Sequence, residues 1–270
     1  MKIKSTLLAV SAITVLGAGS SQAATIFNEN FGTLKDAASL VGTANSTLDG
    51  RIGTGTPTGN NILEAQNPSS FGSGASALMA ASTTSQTNLK TGGFTAFDVG
   101  TLSFSLRTNS NTGSFYAFLG DGASLTNNSG FTGSQLLGGW QINNGQLQAR
   151  TGNSSTQTWT NVGTALTANT NYDFNIVFNG SATALTDYFG TNDLAAGSAD
   201  IWINGSLFGA GVDIIDAQSV TALKFYTEAN GGSAFELDNV LLQNVATVVP
   251  EPSTALLGAI GALALLRRRR

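Results

Sequence analysis

From Phe94 onward, apolar and polar residues alternate with a period of two, the pattern of half-buried β-strands. Leu102, Phe104 and Leu106 alternate with Ser103, Ser105 and Arg107. Tyr172, Phe174, Ile176 and Phe178 alternate with Asp173, Asn175, Val177 and Asn179. Phe115, Ala117 and Leu119 alternate instead with Tyr116 and Phe118, so this strand is apolar on both sides and is predicted to be central. Asn-Gly steps mark two hairpins. Residues 135–142 pair with 146–150 across Asn143-Asn144-Gly145, and 200–203 with 206–208 across Asn204-Gly205. Asn-Gly readily supplies the left-handed backbone of a primed turn. Strands over 222–227 and 235–243 finish the pattern.

Ahead of Phe94 the signal is weaker. Residues 26–31 read as an opening strand, and 34–41 as one or two helical turns. The rest of 32–75 reads as irregular, with Pro57 and Pro68 excluding long helices. About twelve strands, Gly and Asn turns between them and no full-length helix predict an all-β fold, an antiparallel β-sandwich. No repeat of 20–50 residues marks a solenoid or propeller.

The two ends follow other rules. Met1-Lys2-Ile3-Lys4 is a short basic segment, residues 5–19 are apolar, and Ser21-Gln22-Ala23 offers the small residues that signal peptidase inspects. Cleavage after Ala23 is expected, and no cysteine follows for lipid attachment. At the other end, Pro250, Glu251 and Pro252 precede an apolar run from Ala255 to Leu266 and then Arg267, Arg268, Arg269 and Arg270. The prolines hold their segment extended, and the unpatterned apolar run predicts a helix greasy on all sides. Twelve residues reach roughly 18 Å, short of the ~30 Å hydrocarbon core. The arginines stay on the cytoplasmic side, leaving the preceding chain outside. Pro-Glu-Pro, short apolar helix and arginine cluster, in that order at the chain end, resemble the PEP-CTERM sorting signal of Gram-negative bacteria. The resemblance implies an exosortase-type membrane protease that cuts near Pro250-Glu251-Pro252 and passes the protein to the cell surface or beyond. A tail that simply stays in the membrane is the other reading. The expected division is a signal peptide over 1–23, a sandwich domain over 24–246 and a sorting signal over 247–270. Contact with the membrane is expected only through the C-terminal helix.

Composition narrows the function of the exported body. Residues 24–249 hold six basic residues against fifteen acidic ones, a net charge of −9, so a basic face for nucleic acid is not expected. The chain has no histidine and no cysteine. Ser-His-Asp and Cys-His catalysis, the usual zinc sites and disulfides are all excluded.

Several body segments resemble the concanavalin-like, laminin-G-like jelly rolls of exported bacterial proteins. They are Phe27-Asn28-Glu29-Asn30-Phe31, then 171–178, Ala199-Asp200-Ile201-Trp202-Ile203-Asn204-Gly205, and Phe235-Glu236-Leu237-Asp238-Asn239-Val240. Glu236 and Asp238 share a strand face. Retaining glycosidases of this type carry a further glutamate on that strand, with two carboxyls about 5–5.5 Å apart, but here Val240 and Leu241 follow. Catalytic residues are therefore expected to be none. Glu29 and Asp238 are candidate ligands for a structural calcium ion where the first and last strands meet, or else ordinary carboxylates that accept hydrogen bonds; no other cofactor is expected. Trp202 shares a face with Asp200 and Asn204, opposite Ile201 and Ile203, and Trp159 sits in a polar stretch. Trp202, Trp159, Asp200 and Asn204 are thus candidate glycan-binding residues, while Trp140 after Gly138-Gly139 reads as core; large aromatics of a sandwich are also common core fillers. The expected protein is an exported, non-catalytic surface or matrix protein, with extracellular polysaccharide as candidate ligand. A polysaccharide-degrading enzyme on the same fold and a purely structural protein are the alternatives.

Overall fold

The computed structural model describes residues 24–31, 49–52, 62–66, 69–72, 74–81, 87–109, 112–122, 133–152, 157–189, 192–228 and 234–245. The expected signal peptide, the helical turns over 34–41 and the apolar helix of the tail lie outside the described residues.

One sheet is built from β1 (Thr25–Glu29), β3 (Ile62–Gln66), β4 (Ser76–Ala80), β6 (Val99–Thr108), β11 (Asn171–Asn179), β14 (Ser198–Ile203), β15 (Ser206–Asp213) and β17 (Ala234–Gln243). Its order is β15-β14-β11-β6-β17-β4-β3, and β1 also pairs with β17. The second sheet holds β2 (Asp49–Ile52), β5 (Thr87–Phe97), β7 (Ser114–Gly120), β8 (Leu136–Asn143), β9 (Gln146–Thr151), β10 (Thr158–Asn161) and β16 (Val220–Thr227), in the order β10-β9-β8-β7-β16-β5-β2. A small hairpin joins β12 (Leu185–Phe189) to β13 (Asn192–Leu194). Every pair is antiparallel. This is the antiparallel β-sandwich that the alternation predicts, of the jelly-roll kind that the resemblance implies.

Both hairpins form as expected. Asn144 and Gly145 take φ of 50° and 81°, and Asn204 and Gly205 take 51° and 74°, the two successive left-handed residues of a type I′ turn. β7 lies between β8 and β16 and is buried along its whole length, as its two apolar faces predict. The irregular reading of 32–75 is corrected by β2 and β3. These strands of four and five residues are too short to show alternation, and their pairing with β5 and β4 fixes them instead.

The core lies between the inner faces. Phe104 stacks on Phe174 at 4.9 Å within one sheet and meets Phe225 edge-on at 5.4 Å across the sandwich. Phe115 lies 5.8 Å from Phe225 and 5.3 Å from Phe235. All five rings are buried, and such pairs add to the area they bury. Replacing Phe104 with alanine opens a cavity against both sheets, so Phe104→Ala should lower the urea-measured unfolding free energy by about 3–5 kcal/mol.

Candidate functional site

The core decides what the outer face of the second sheet carries. Leu89, Phe225, Ala117, Trp140 and Ala149 face inward, so their sequence neighbours face outward. Register assembles these neighbours into two rows. One runs Lys90–Lys224–Phe118–Gly139 across β5, β16, β7 and β8, and continues to Arg150 and Trp159 on β9 and β10. The next runs Asn88–Tyr226–Tyr116–Gln141–Gln148–Asn161. Gly139 is required where the first row is tightest, because a Cβ there would lie 2.9 Å from the Phe118 ring and 3.5 Å from the Arg150 Cβ.

Aromatic rings cluster on this face. Tyr116 stacks on Phe118 at 5.5 Å and lies 5.4 Å from Tyr226, while half-buried Trp159 packs 5.7 Å from Tyr116. Beside them opens a cleft of about 330 Å³, lined by Tyr116, Trp159, Gln141, Asn143, Asn144, Gln157 and Glu228. The Tyr116 hydroxyl donates to Glu228 Oε2 at 2.5 Å, and the Trp159 indole N–H donates to Gln157 Oε1 at 3.2 Å. Gln141 donates to Gln148, and Gln148 to Asn161, at 2.5 and 2.7 Å. The cleft therefore pairs flat rings with neutral amides and one carboxylate. That combination can stack a ring and exchange hydrogen bonds with hydroxyl groups.

Burial shapes the acids and bases here. Burial, the hydrogen bond to Glu228 and that residue's charge raise the Tyr116 phenol far above its ordinary pKa. Burial and then Glu228 push Tyr226 up to about 12. Both phenols stay protonated at neutral pH, and that of Tyr116 acts as a donor. Burial, followed by repulsion from Lys90, pushes Lys224 down to about 8. Arg150 is lowered by burial alone.

The structure distributes the sequence candidates unevenly. Trp159 reaches the cleft. Trp202 points away from the core as expected but is only 7% exposed, packed with Val177 and Leu194 and against Leu185 of the β12–β13 hairpin. Its ring is not offered for stacking, which corrects the platform reading. Asp200 is buried beneath the same surface and accepts the Gly211 N–H at 2.6 Å. Asn204 occupies its turn and accepts the Asp173 N–H at 2.8 Å. Trp140 is core.

Glu29 and Asp238 come to the β1–β17 junction, where β17 changes partner from β4 to β1. Both are buried. Glu29 accepts the Phe31 N–H at 2.7 Å, and Asp238 accepts the Asn239 N–H at 2.7 Å. Burial, together with the charges of Glu236 and Glu29, pushes Asp238 up to about 6 despite that hydrogen bond. Glu236 accepts the Ser70 N–H at 2.7 Å and the Ser76 hydroxyl. Among the described residues, no group of three or more acidic side chains is arranged to hold a metal ion.

Sequence reasoning missed Tyr116, Gln141 and Glu228. The outward alternation of Tyr116 was visible, but it read as burial in a central strand. Its contact with Glu228 spans 112 positions, and no local pattern records such a pairing.

The C-terminal stretch carries the clearest likeness to known proteins. Residues 248–270 are a PEP-CTERM protein-sorting motif. It contains Pro250, Glu251 and Pro252 and the four terminal arginines. A motif of this kind targets its bearer to exosortase, which makes the chain an exported protein bound for the cell surface or outside. Among the described residues no helix is long and apolar enough to cross a membrane. No curated protein matches the chain by sequence. Among solved structures, a protein of unknown function from Shewanella oneidensis MR-1 superposes with a TM-score of 0.53 at 16% identity, over 86% of this chain and 92% of that one. At that identity the likeness shows the fold. The carbohydrate recognition domain of Emp47p follows at a TM-score of 0.48 and 12% identity, over 81% and 97% of the two chains. A sialidase gives 0.49 at 11% identity, and although 79% of this chain is covered, it spans only 18% of the sialidase.

Lys224 yields a pH dependence. Unfolded, it stays charged up to its ordinary pKa of 10.5, but in the folded protein only up to about 8. The stability it contributes is present above pH 10.5 and is lost as pH falls through 8. Unfolding free energy should therefore rise by on the order of 2 kcal/mol from about pH 7 to about pH 9.5, and Lys224→Met should flatten the rise, as read by urea titration.

Proposed function

We propose that the exported chain is a non-catalytic surface or matrix protein that binds extracellular polysaccharide in the Trp159–Tyr116 cleft. The observation that carries this is the cleft itself, with the half-buried Trp159 ring and the Tyr116 hydroxyl beside the amides of Gln141, Asn143, Asn144 and Gln157. Sugar rings present apolar faces and hydroxyl edges, and this surface offers a partner for each. Among the described residues, Glu228 is the one carboxylate lining it, whereas a glycosidase pair needs a second. Glu236 and Asp238 belong to the other sheet. Signal peptidase would remove residues 1–23, the apolar tail would hold the chain transiently in the inner membrane, and exosortase would cut near Pro250-Glu251-Pro252.

Trp159→Ala should weaken binding of the cognate polysaccharide by at least about tenfold while the melting temperature stays within a few degrees. Unchanged binding would remove the cleft from the reading. Release of new reducing ends from the polymer would replace binding with an enzymatic role. For sorting, the intact mass of the protein from its host should lack residues 1–23 and everything beyond the Pro-Glu-Pro segment. A full-length C-terminus in the inner-membrane fraction would show a retained anchor instead.

A further inference from the structure

The sandwich has two ends, and the register places the exit of the C-terminal tail at one and the cleft at the other. At the tail-bearing end the chain is held up to Val245. Gln243 is the register partner of Thr25 on β1 and of Thr101 on β6. The Asn244 N–H donates to the Ala24 carbonyl at 3.3 Å, and the Thr101 hydroxyl donates to the Val245 carbonyl at 2.8 Å. The start of β1 and the end of β17 therefore lie side by side. The same end carries Asn179, the register partner of both Val99 and Ser198, and Gly197, whose N–H donates to the Asn179 carbonyl at 2.8 Å.

The cleft belongs to the other end. Along β6 the register with β17 runs from Thr101, opposite Gln243, to Thr108, opposite Phe235, roughly 23 Å at ordinary strand rise. Just beyond Thr108, the Asn109 N–H donates to the Ala234 carbonyl at 3.0 Å, and β7 begins at Ser114. Gly113, Ser114, Asn143, Asn144 and Glu228 of the cleft gather there. The Asn144 N–H donates to the Gly113 carbonyl at 3.0 Å, and the Glu228 N–H to the Ser114 carbonyl at 3.2 Å.

The sorting motif starts close to the tail-bearing end. Only residues 246–249 separate Val245 from Pro250, so even a fully extended chain keeps Pro250 within roughly 18 Å of Val245. A protease that cuts near Pro250-Glu251-Pro252 must work against that end of the sandwich. We propose that this end, formed by the starts of β1 and β6 and the end of β17, is the surface that meets exosortase. The cut is made on the folded sandwich, with the cleft turned away from the membrane. A protein still tethered by its tail can thus engage polysaccharide before release, a consequence that rests on the glycan-binding reading above.

The chain lacks cysteine, so a single introduced thiol can be labelled selectively. Ala196 is exposed at the tail-bearing end, next to Gly197. Ala165 is exposed at the cleft end, next to Leu166, whose N–H donates to the Gly145 carbonyl at 2.7 Å. Full-length precursor is purified in detergent from a host without exosortase and then given the protease. A bulky maleimide polymer on Ala196→Cys should slow the cut about tenfold or more, and the same adduct on Ala165→Cys less than about twofold. Deleting residues 246–249 should slow it as much, and four Gly-Ser residues in their place should restore it. If the deletion unfolds the sandwich, the two adducts decide. Equal inhibition by both adducts, or a folded deletion variant cut at the wild-type rate, would overturn the proposal. No cut of the unlabelled chain would overturn the sorting reading with it. The expected cuts in a protein that binds no polysaccharide would sink the glycan reading alone.

Discussion

The interlock of Phe104 with Phe174 and Phe225, and of Phe115 with Phe225 and Phe235, is the contact on which the rest depends. It does more than hold two sheets together. In a pleated strand, fixing one residue inward fixes its neighbours outward. With Phe225 inside, Lys224 and Tyr226 must lie on the outer face; with Phe115 inside, so must Tyr116. A slip of one position would bury Lys224 among phenylalanines and expose the core. The packing that stabilises the sandwich therefore also sets the composition of the outer face of the second sheet.

The same logic explains what could be read from the chain in advance. Alternation over 102–107 and 171–179 and the Asn-Gly turns at 144–145 and 204–205 are local, so sequence alone predicts them. β2 and β3 are not local. Each has too few residues to show a period, and each exists because a neighbouring strand supplies its hydrogen bonds. Trp159 was legible because a tryptophan among threonines and glutamines stands out. Tyr116, Glu228 and the cation row were not, since each depends on which strands become neighbours. Trp202 shows the limit from the other side. Its outward direction follows from alternation, but the cover supplied by Leu185 and Leu194 comes from a hairpin inserted between β11 and β14.

The two outer faces have consequently diverged. On the eight-stranded sheet, Asn179 donates to the carbonyls of Thr183, Leu194 and Ala195 and pins the β12–β13 hairpin down. Trp202 is closed beneath it, and Glu236 and Asp238 are occupied by hydroxyl and backbone donors. That face spends its polar groups on internal bonds. On the seven-stranded sheet the polar groups behave differently. The Gln141–Gln148–Asn161 chain runs toward the sheet edge, the phenols are held protonated, and the amides of Asn143 and Asn144 line an open cleft.

Charge makes the asymmetry energetic as well as geometric. A buried lysine whose pKa has fallen to about 8 is held at a cost to folding, and the side chain of Asn88, buried with no hydrogen-bonding partner among the described residues, adds to it. Local costs of this kind are expected where a fold serves something besides its own stability. With no histidine or cysteine in the chain, that face carries no imidazole or thiol, and its cleft offers amides, a phenol and one carboxylate among the described residues.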